Sequence, residues 1–509
     1  MRYTVSAPAS LHAAIQLPAS KSISNRALIL HSLAHGNILP RNLSDCDDTI
    51  VMTRALDGNP GHIDILAAGT AMRFLTAYLS VTPGTRIITG TQRMQQRPIR
   101  ILVDALRELG ARIEYVGNEG FPPLRITGTE LTGSEISLAG NVSSQYISAL
   151  LMIGTVLPKG LRLHLTGDII SRPYINLTIQ AMKAFGVEVN VERIPAKDGQ
   201  PEVTNFRVSS GSYRTPGSVA VEGDWSNAAF WLCAGAIGTD PITVEGVSLS
   251  SAQGDRNVLA ALSRFGARIV RSTNAATVQS DKLAGFEMSA HDIPDLVPVI
   301  SAVASLAQGR TFIRDCARLR IKESDRLVTT TRELTALGAQ VRIAGDDLII
   351  KGVDAFTGGE VDSLNDHRIA MMAAIAASRA TGEVVIQGAE AVNKSYPDFF
   401  DHYRLLGGKV SLNRIRTTAP PTPEFINETR KCVETEKNED RKRRVAGNND
   451  EKHCADNDHP ERNRADDGIA LPREERRIAH HGQTSVKRHN RSDGALMRQK
   501  PIGQTIFNR

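Results

Sequence analysis

The chain has 509 residues, 41% hydrophobic but only 5% aromatic, with a formal net charge of +6, which is material for two or more aliphatic cores. No apolar run reaches the roughly 18 residues of a transmembrane helix. The N-terminus lacks the pattern of a signal or transit peptide, and five cysteines without a CxxC pair argue against a disulfide framework or structural zinc. The expectation is a soluble cytoplasmic protein, and nucleic acid is not a partner either. Residues 414–509 hold 21 basic and 16 acidic side chains, leaving the preceding 413 residues within one charge of neutrality, with no basic stripe interleaved with aromatics.

In chain order, the first informative stretch is PASKSISNRALIL (18–30), where Lys21, Ser22, Ser24 and Arg26 stand at the start of an apolar helix. LAAGTAMRFL (66–75) turns through small residues into a second one, and Gly69 and Thr70 there would present backbone N–H groups to an anion. TQRMQQRPIRILVDAL (91–106) carries Arg93, Arg97 and Arg100, with Pro98 expected as the first helical residue. GNVSSQYISALLM (140–152) and GDIISRPYINLTI (167–179) place Ser143, Ser144 and Gln145, then Ser171, Arg172 and Tyr174, at two more helix starts. HDIPDLVPVISAVA (291–304) brings Asp292 and Asp295. RLRIKESDRLVTTTREL (318–334) brings Arg320, Lys322, Glu323, Asp325 and Arg326. LNDHRIAMMAAIAA (364–377) adds Asp366, His367 and Arg368, and AVNKSYPDFF (391–400) adds Lys394.

Taken singly, a Ser or Asp before a helix reads as a cap and a lone Arg as solvated surface. Taken together, the polar clusters recur at the starts of buried helices. Helix N-termini converging on one cleft create a positive field without a large net charge. The ligand expected is small, multiply anionic and phosphorylated. Neither GxxxxGKS/T nor a GxGxxG after a strand is present, so an ordinary nucleotide or dinucleotide is not indicated.

A second pattern sets the architecture. DALRELGARIEYV, IQAMKAFGVEVNV, VLAALSRFGARIV, TTRELTALGAQVRI and DHYRLLGGKVSL each run at helical spacing to a glycine and restart at strand spacing, and TIVMTRALDG is a weaker sixth copy. A left-handed glycine closing a helix explains the phrase. Copies about 70 to 80 residues apart predict α/β units longer than ordinary solenoid repeats, and six units divide into two domains of three. From residue 414 the apolar periodicity stops. A segment such as ETEKNEDRKRRVAGNNDEKHCADNDHPERNRADD cannot bury enough surface to order itself, so 414–509 is expected to be a disordered polar tail.

The motifs PASKSISNRALIL, AAGTAMRFL, QRPIRILVDAL, SSQYISALL, IPDLVPVIS, KESDRL, NDHRIAM and NKSYPDFF, collinear over residues 3–413, resemble the 5-enolpyruvylshikimate-3-phosphate synthase family of enolpyruvyl transferases. The resemblance implies an α/β fold of two domains, each of three inverse βαβαββ units, with the first strand belonging to the C-terminal half. The domains would be 20–215, and 1–19 with 216–413, the chain crossing near 18–20 and 213–221. The implied reaction adds the 5-hydroxyl of shikimate 3-phosphate to C2 of phosphoenolpyruvate and expels phosphate, with no metal or organic cofactor, in a monomer. Carried over residue by residue, Lys21 contacts both substrates. Ser22, Arg26, Ser143, Ser144, Gln145, Ser171, Asp295 and Lys322 hold shikimate 3-phosphate, with Tyr174 nearby. Gly69, Arg97, Gln145, Arg326, Arg368 and Lys394 hold phosphoenolpyruvate. Asp295 is implied as the base for the hydroxyl and Glu323 as the acid toward the methylene carbon. Three positions depart from the family pattern: Ala67 stands where Asn is usual, Phe74 where Pro is common, and Arg318 where Asn is common.

Two rival functions share the scaffold. An enolpyruvyl transferase acting on UDP-N-acetylglucosamine relies on an active-site cysteine, and none lies near the Arg-rich loop here. A non-catalytic binder of phosphorylated metabolites would keep the cations without the acid and base.

Overall fold

Every sheet is wired alike. The computed structural model describes residues 1–58, 60–197, 199–216 and 219–413; the tail expected at 414–509 lies outside them. Among the described residues there are five four-stranded sheets. The first is ordered His62–Asp64, Gly84–Thr89, Leu124–Gly128, Arg112–Tyr115, and the second Glu135–Ala139, Leu161–Thr166, Val203–Val208, Val189–Ile194. In both, the first two strands are parallel and the rest antiparallel. A parallel pair needs a crossover, and an apolar helix supplies it each time.

The helices are α1 (Lys21–Leu33), α2 (Asp47–Leu56), α3 (Gly69–Ser80), α4 (Arg100–Glu108), α5 (Ser144–Gly154), α6 (Arg172–Ala184), α7 (Trp225–Ile237), α8 (Val258–Phe265), α9 (Val297–Ala304), α10 (Arg326–Ala336), α11 (His367–Ala377) and α12 (Phe399–Leu405). α5, α7, α9 and α11 are buried along nearly their whole length, as expected of helices apolar on every side. Leu28, Phe74 and Leu150 of α1, α3 and α5 share one apolar core, and Trp231, Val299 and Met371 of α7, α9 and α11 share another.

The chain termini are woven into this pattern. Arg2–Ser6 lies between Val384–Gln387 and Lys409–Asn413, so the N-terminal strand completes the last sheet. Ala13–Gln16 pairs in parallel with Ile242–Glu245, so the residues of the first core interrupt a unit of the second. The two passages between the cores run side by side. Ser20 N donates to Glu222 O at 2.8 Å and Asp224 N to Pro18 O at 3.0 Å.

Two local expectations need correction. The sixth unit has α1 and α2 but no sheet among the described residues; its pairing shrinks to a parallel bridge between Arg41 and Ala220. Pro98 is not the first residue of α4, which starts at Arg100. The Pro98 carbonyl instead accepts from Arg73 Nη2 at 3.1 Å and from Tyr146 OH at 2.6 Å. The helix-ending glycines are as read. Gly58, Gly110, Gly186, Gly266, Gly338 and Gly407 all have φ between 62° and 107°, a region that penalises any residue with a Cβ.

Candidate active site

The starts of the buried helices face one cleft between the two cores. α1 opens with Lys21 and Ser22, α3 with Gly69 and Thr70, and α5 with Ser144 and Gln145. From the other side, Asp224 caps α7 by accepting from Asn227 N at 3.0 Å and Asp366 caps α11 by accepting from Arg368 N at 3.0 Å. A cavity lies between them. Six cations line it (Lys21, Arg26, Arg97, Lys322, Arg326, Arg368) against four carboxylates (Asp48, Asp224, Asp295, Glu323). The excess is positive, as a multiply anionic ligand requires.

The carboxylates are held by the same cations that would meet a ligand. Asp295 Oδ1 lies 3.0 Å from Lys322 Nζ and 2.8 Å from Arg326 Nη1, while Oδ2 lies 3.4 Å from Arg368 Nη2. Burial opposes its charge, but Lys322, Arg368 and Arg326 together hold its carboxyl well below the usual range. Glu323 accepts from Arg326 Nη2 at 2.7 Å and faces Arg97 Nη1 at 3.5 Å across the cleft. It too is held low, with Arg326 and Arg97 outweighing burial. Arg326 is almost wholly buried and also forks onto Asp366 at 2.8 and 3.1 Å. Lys21 Nζ pairs with Asp48 at 3.0 Å, and its backbone N donates to Asp224. Burial works against the Lys21 charge, but Asp48 in front of it raises its proton affinity above the ordinary lysine value.

Most of the sequence-expected residues meet here. Lys21, Ser22, Arg26, Gly69, Arg97, Gln145, Asp295, Lys322, Glu323, Arg326 and Arg368 line the main cavity. Ser143, Ser144 and Ser171 line an adjoining one, which shares Arg97, Gln145, Tyr174, Asp295 and Lys322 with the first. Lys394 does not line either. Its ammonium bonds the Asn365 carbonyl, and it borders a smaller pocket behind Arg97 and Glu323. A Cβ at Gly69 would lie 2.7 Å from Arg97 Nη1, so any larger residue there would displace the Arg97 guanidinium.

Arg26 does not reach for a ligand with its whole fork. Nε donates to Thr178 Oγ1 at 2.7 Å and Nη2 to the Tyr174 carbonyl at 3.0 Å, and the guanidinium carbon lies 5.2 Å from the Phe74 ring centre. The departure at position 74 thus supports Arg26 by a cation–π contact. Arg318 donates to Val142 O at 3.0 Å, a bond between the two halves of the cleft.

Sequence reasoning gave no site role to Asp48, Asp224 or His367. The first two read as ordinary carboxylates near helix starts, and only the tertiary fold brings them to Lys21. His367 is buried, with neither ring nitrogen hydrogen-bonded among the described residues. Burial, with Lys21, Arg368 and Arg326 close by, keeps it neutral by pushing its proton affinity well below the ordinary histidine value.

Comparison with known proteins gives matches over most of the chain. The family model "EPSP synthase (3-phosphoshikimate 1-carboxyvinyltransferase)" matches residues 5–58 and 59–403. A 3-phosphoshikimate 1-carboxyvinyltransferase of Bacteroides fragilis is 47% identical over 413 residues, covering 80% of this chain and 98% of the relative. One from Vibrio vulnificus is 37% identical over 414 residues, covering 76% and 94%. Among solved structures, an EPSP synthase from Acinetobacter baumannii matches with TM-score 0.66 and 24% identity over 81% of this chain and all of that one. The enolpyruvyl transferase NikO from Streptomyces tendae matches with TM-score 0.62 and 16% identity, covering 81% and 98%. The two structural matches bear on the fold.

Proposed function

The chain belongs to the EPSP synthase family, and we propose from that membership and the site that it transfers the enolpyruvyl group of phosphoenolpyruvate to the 5-hydroxyl of shikimate 3-phosphate, releasing phosphate. The observation that carries the reading is the placement of two carboxylates, Asp295 and Glu323, among six cations in one interlobe cavity. Two phosphorylated anions must lie side by side. At an effective dielectric of 20, each pair of unit charges 4 Å apart repels by about 4 kcal/mol, and the cations offset this.

Shikimate 3-phosphate is assigned to Ser22, Arg26, Ser143, Ser144, Gln145, Ser171 and Lys322, and phosphoenolpyruvate to Gly69, Arg97, Gln145, Arg326, Arg368 and Lys394. Lys21 serves both. Asp295 takes the hydroxyl proton as the oxygen bonds to C2, and protonated Glu323 gives a proton to C3. The adduct then collapses: the C2–O bond to phosphate breaks, C3 returns a proton to Glu323, and the departing phosphate carries off the proton gained by Asp295.

In the arrangement seen, both carboxyls are held in the ionised form by their cationic neighbours. Asp295 is then a weak base and Glu323 lacks its proton. Substrate anions that take over Arg97, Arg326, Arg368 and Lys322 weaken that hold and raise the proton affinity of both carboxylates. Each group thereby moves toward its task as the ligands arrive.

Phosphate release assayed with both substrates tests the reading; no release with shikimate 3-phosphate as acceptor would overturn it. Against the UDP-sugar alternative, no cysteine among the described residues lines either cavity. Cys46, Cys233 and Cys316 are buried instead.

A further inference from the structure

Behind Asp295 lies a second carboxyl that the reaction above leaves unused. Asp255 sits in a short turn, Gly254–Asn257, just before α8, and is 2% exposed. Among the described residues no lysine or arginine forms an ion pair with it. Its Oδ2 accepts a hydrogen bond from Ser226 Oγ, in the first turn of α7. Its Oδ1 lies 3.5 Å from the hydroxyl of Tyr174, which projects from α6 on the other side of the cleft. The same hydroxyl lies 3.2 Å from Asp295 Oδ2. A phenol has one proton to donate, so the buried Asp255 and the partly buried Asp295 compete for it.

The groups that act on Asp255 are Tyr174, Asp295, Arg368, Asp224 and Ser226. Burial is the largest influence and raises its proton affinity; Arg368 and Ser226 oppose this and Asp295 and Asp224 add to it, leaving a titration near 6. Tyr174 itself stays protonated, because burial and the two aspartates push its ionisation well above the ordinary phenol value.

We propose that Asp255 is a positioning residue for the proposed reaction: ionised and anchored by Ser226, it draws the Tyr174 hydroxyl away from Asp295 and so makes Asp295 the stronger base. The direction follows from the hydrogen bonds. When Asp255 is protonated, Tyr174 donates to Asp295 alone, and a donated hydrogen bond stabilises the carboxylate and weakens it as a base. When Asp255 is ionised, it shares the phenol proton and adds a nearby negative charge, and both effects raise the proton affinity of Asp295. This rests on Asp295 being the base, so the test separates the two claims.

The test is kcat/KM against pH for wild type, Asp255→Asn, Ser226→Ala and Tyr174→Phe. The substrate phosphates also titrate, with a second pKa of about 6, but they are common to all four enzymes, so the ratio of variant to wild type is the readout. The amide introduced by Asp255→Asn keeps the shape and can donate to Ser226 Oγ, but it cannot ionise, and as a weaker acceptor than a carboxylate it leaves the Tyr174 proton with Asp295. Asp255→Asn should match wild type near pH 5 and fall progressively behind it by pH 8, by up to about tenfold if the basicity of Asp295 changes by about one pK unit. Ser226→Ala removes a hydrogen bond that favours the ionised form, so its acid limb should move to higher pH. In a Tyr174→Phe background, Asp255→Asn should lose most of its pH-dependent effect. A pH-independent ratio for Asp255→Asn, or effects of Asp255→Asn and Tyr174→Phe that simply multiply, would overturn the proposal. If Asp255→Asn does not fold, Ser226→Ala decides by itself, since an unmoved acid limb contradicts the model of a titrating Asp255. Absence of phosphate release by the wild type would instead reject the functional reading.

Discussion

Asp295 and Lys21 separate catalysis from charge neutralisation at single positions. Asp295→Asn keeps the side-chain shape and removes the base. Turnover is expected to fall by about 10² to 10⁴, the usual range for lost general acid–base catalysis. Binding of shikimate 3-phosphate should change by less than about tenfold, because the amide can still meet a hydroxyl and Lys322, Arg326 and Arg368 remain around it. If residue 295 merely began a helix, Asn would serve about as well as Asp, so near-normal steady-state turnover would dismiss the role. Lys21→Met acts otherwise. It removes a charge assigned to both substrates and leaves Asp48, now 3.0 Å from the ammonium, unpaired in the cavity. Both KM values should rise and kcat should fall, each by about tenfold or more. A kinetic defect confined to kcat would place Lys21 away from ground-state binding.

At the scale of the element, α11 shows how one carboxylate does two jobs. Asp366 is fully buried, caps the helix through Arg368 N and forks onto Arg326. Asp366→Ala removes a cap worth about 1 kcal/mol and one partner of a buried ion network, whose rupture costs about 3–5 kcal/mol. Because Asp295 and Glu323 still hold Arg326, the loss should lie near the lower end, about 3 kcal/mol. The urea midpoint should drop at unchanged m-value, and an unmoved midpoint would show that the network is dispensable for the fold. The same helix illustrates what can be read from sequence. NDHRIAMMAAIAA gives away a buried helix and its polar start, because both are local: an apolar run with a capping Asp. The helix–glycine–strand phrases are local too, and they yielded the repeat. What local pattern does not contain is pairing. That Arg2–Ser6 completes the last sheet, or that the sixth unit keeps only a bridge at Arg41, depends on partners hundreds of residues away or on strands missing altogether. Likewise Asp48, Asp224 and Asp255 look like any carboxylate near a helix start. Their meaning comes from Lys21 and Tyr174, which only the fold brings to them.

At the scale of the molecule, the described residues join the two sides of the cleft by few bonds, and one of them titrates. Arg97 meets Glu323 and Tyr174 meets Asp295 deep inside. At the rim, His291 Nε2 lies 2.7 Å from Asp168 of the opposite side, and its Nδ1 lies 3.2 Å from Asp292. Partial burial disfavours the imidazolium, but Asp168 and Asp292 outweigh it and raise its proton affinity above the ordinary histidine value. Arg172 also faces Asp168 and Asp292, but its ion pair is with Glu202 at 3.8 Å. Closure and His291 protonation therefore favour each other. The bond supports the closed cleft fully below the free-histidine pKa of about 6.5 and ceases to do so as pH rises through the higher value of the closed state. An exposed pair of this kind is worth about 0.2–1 kcal/mol, or less than about fivefold in an equilibrium. Ligands assigned to both sides bind best when the cleft is closed, so this support should appear in affinity. His291→Gln should weaken binding of shikimate 3-phosphate by about two- to threefold at pH 6 and leave it unchanged at pH 9. Calorimetric titration of both proteins at several pH values measures the gap, and titration of the ligand phosphate cancels in the comparison. A gap of the same size at pH 9 would mean that His291 acts through packing and that the rim bond carries no charge.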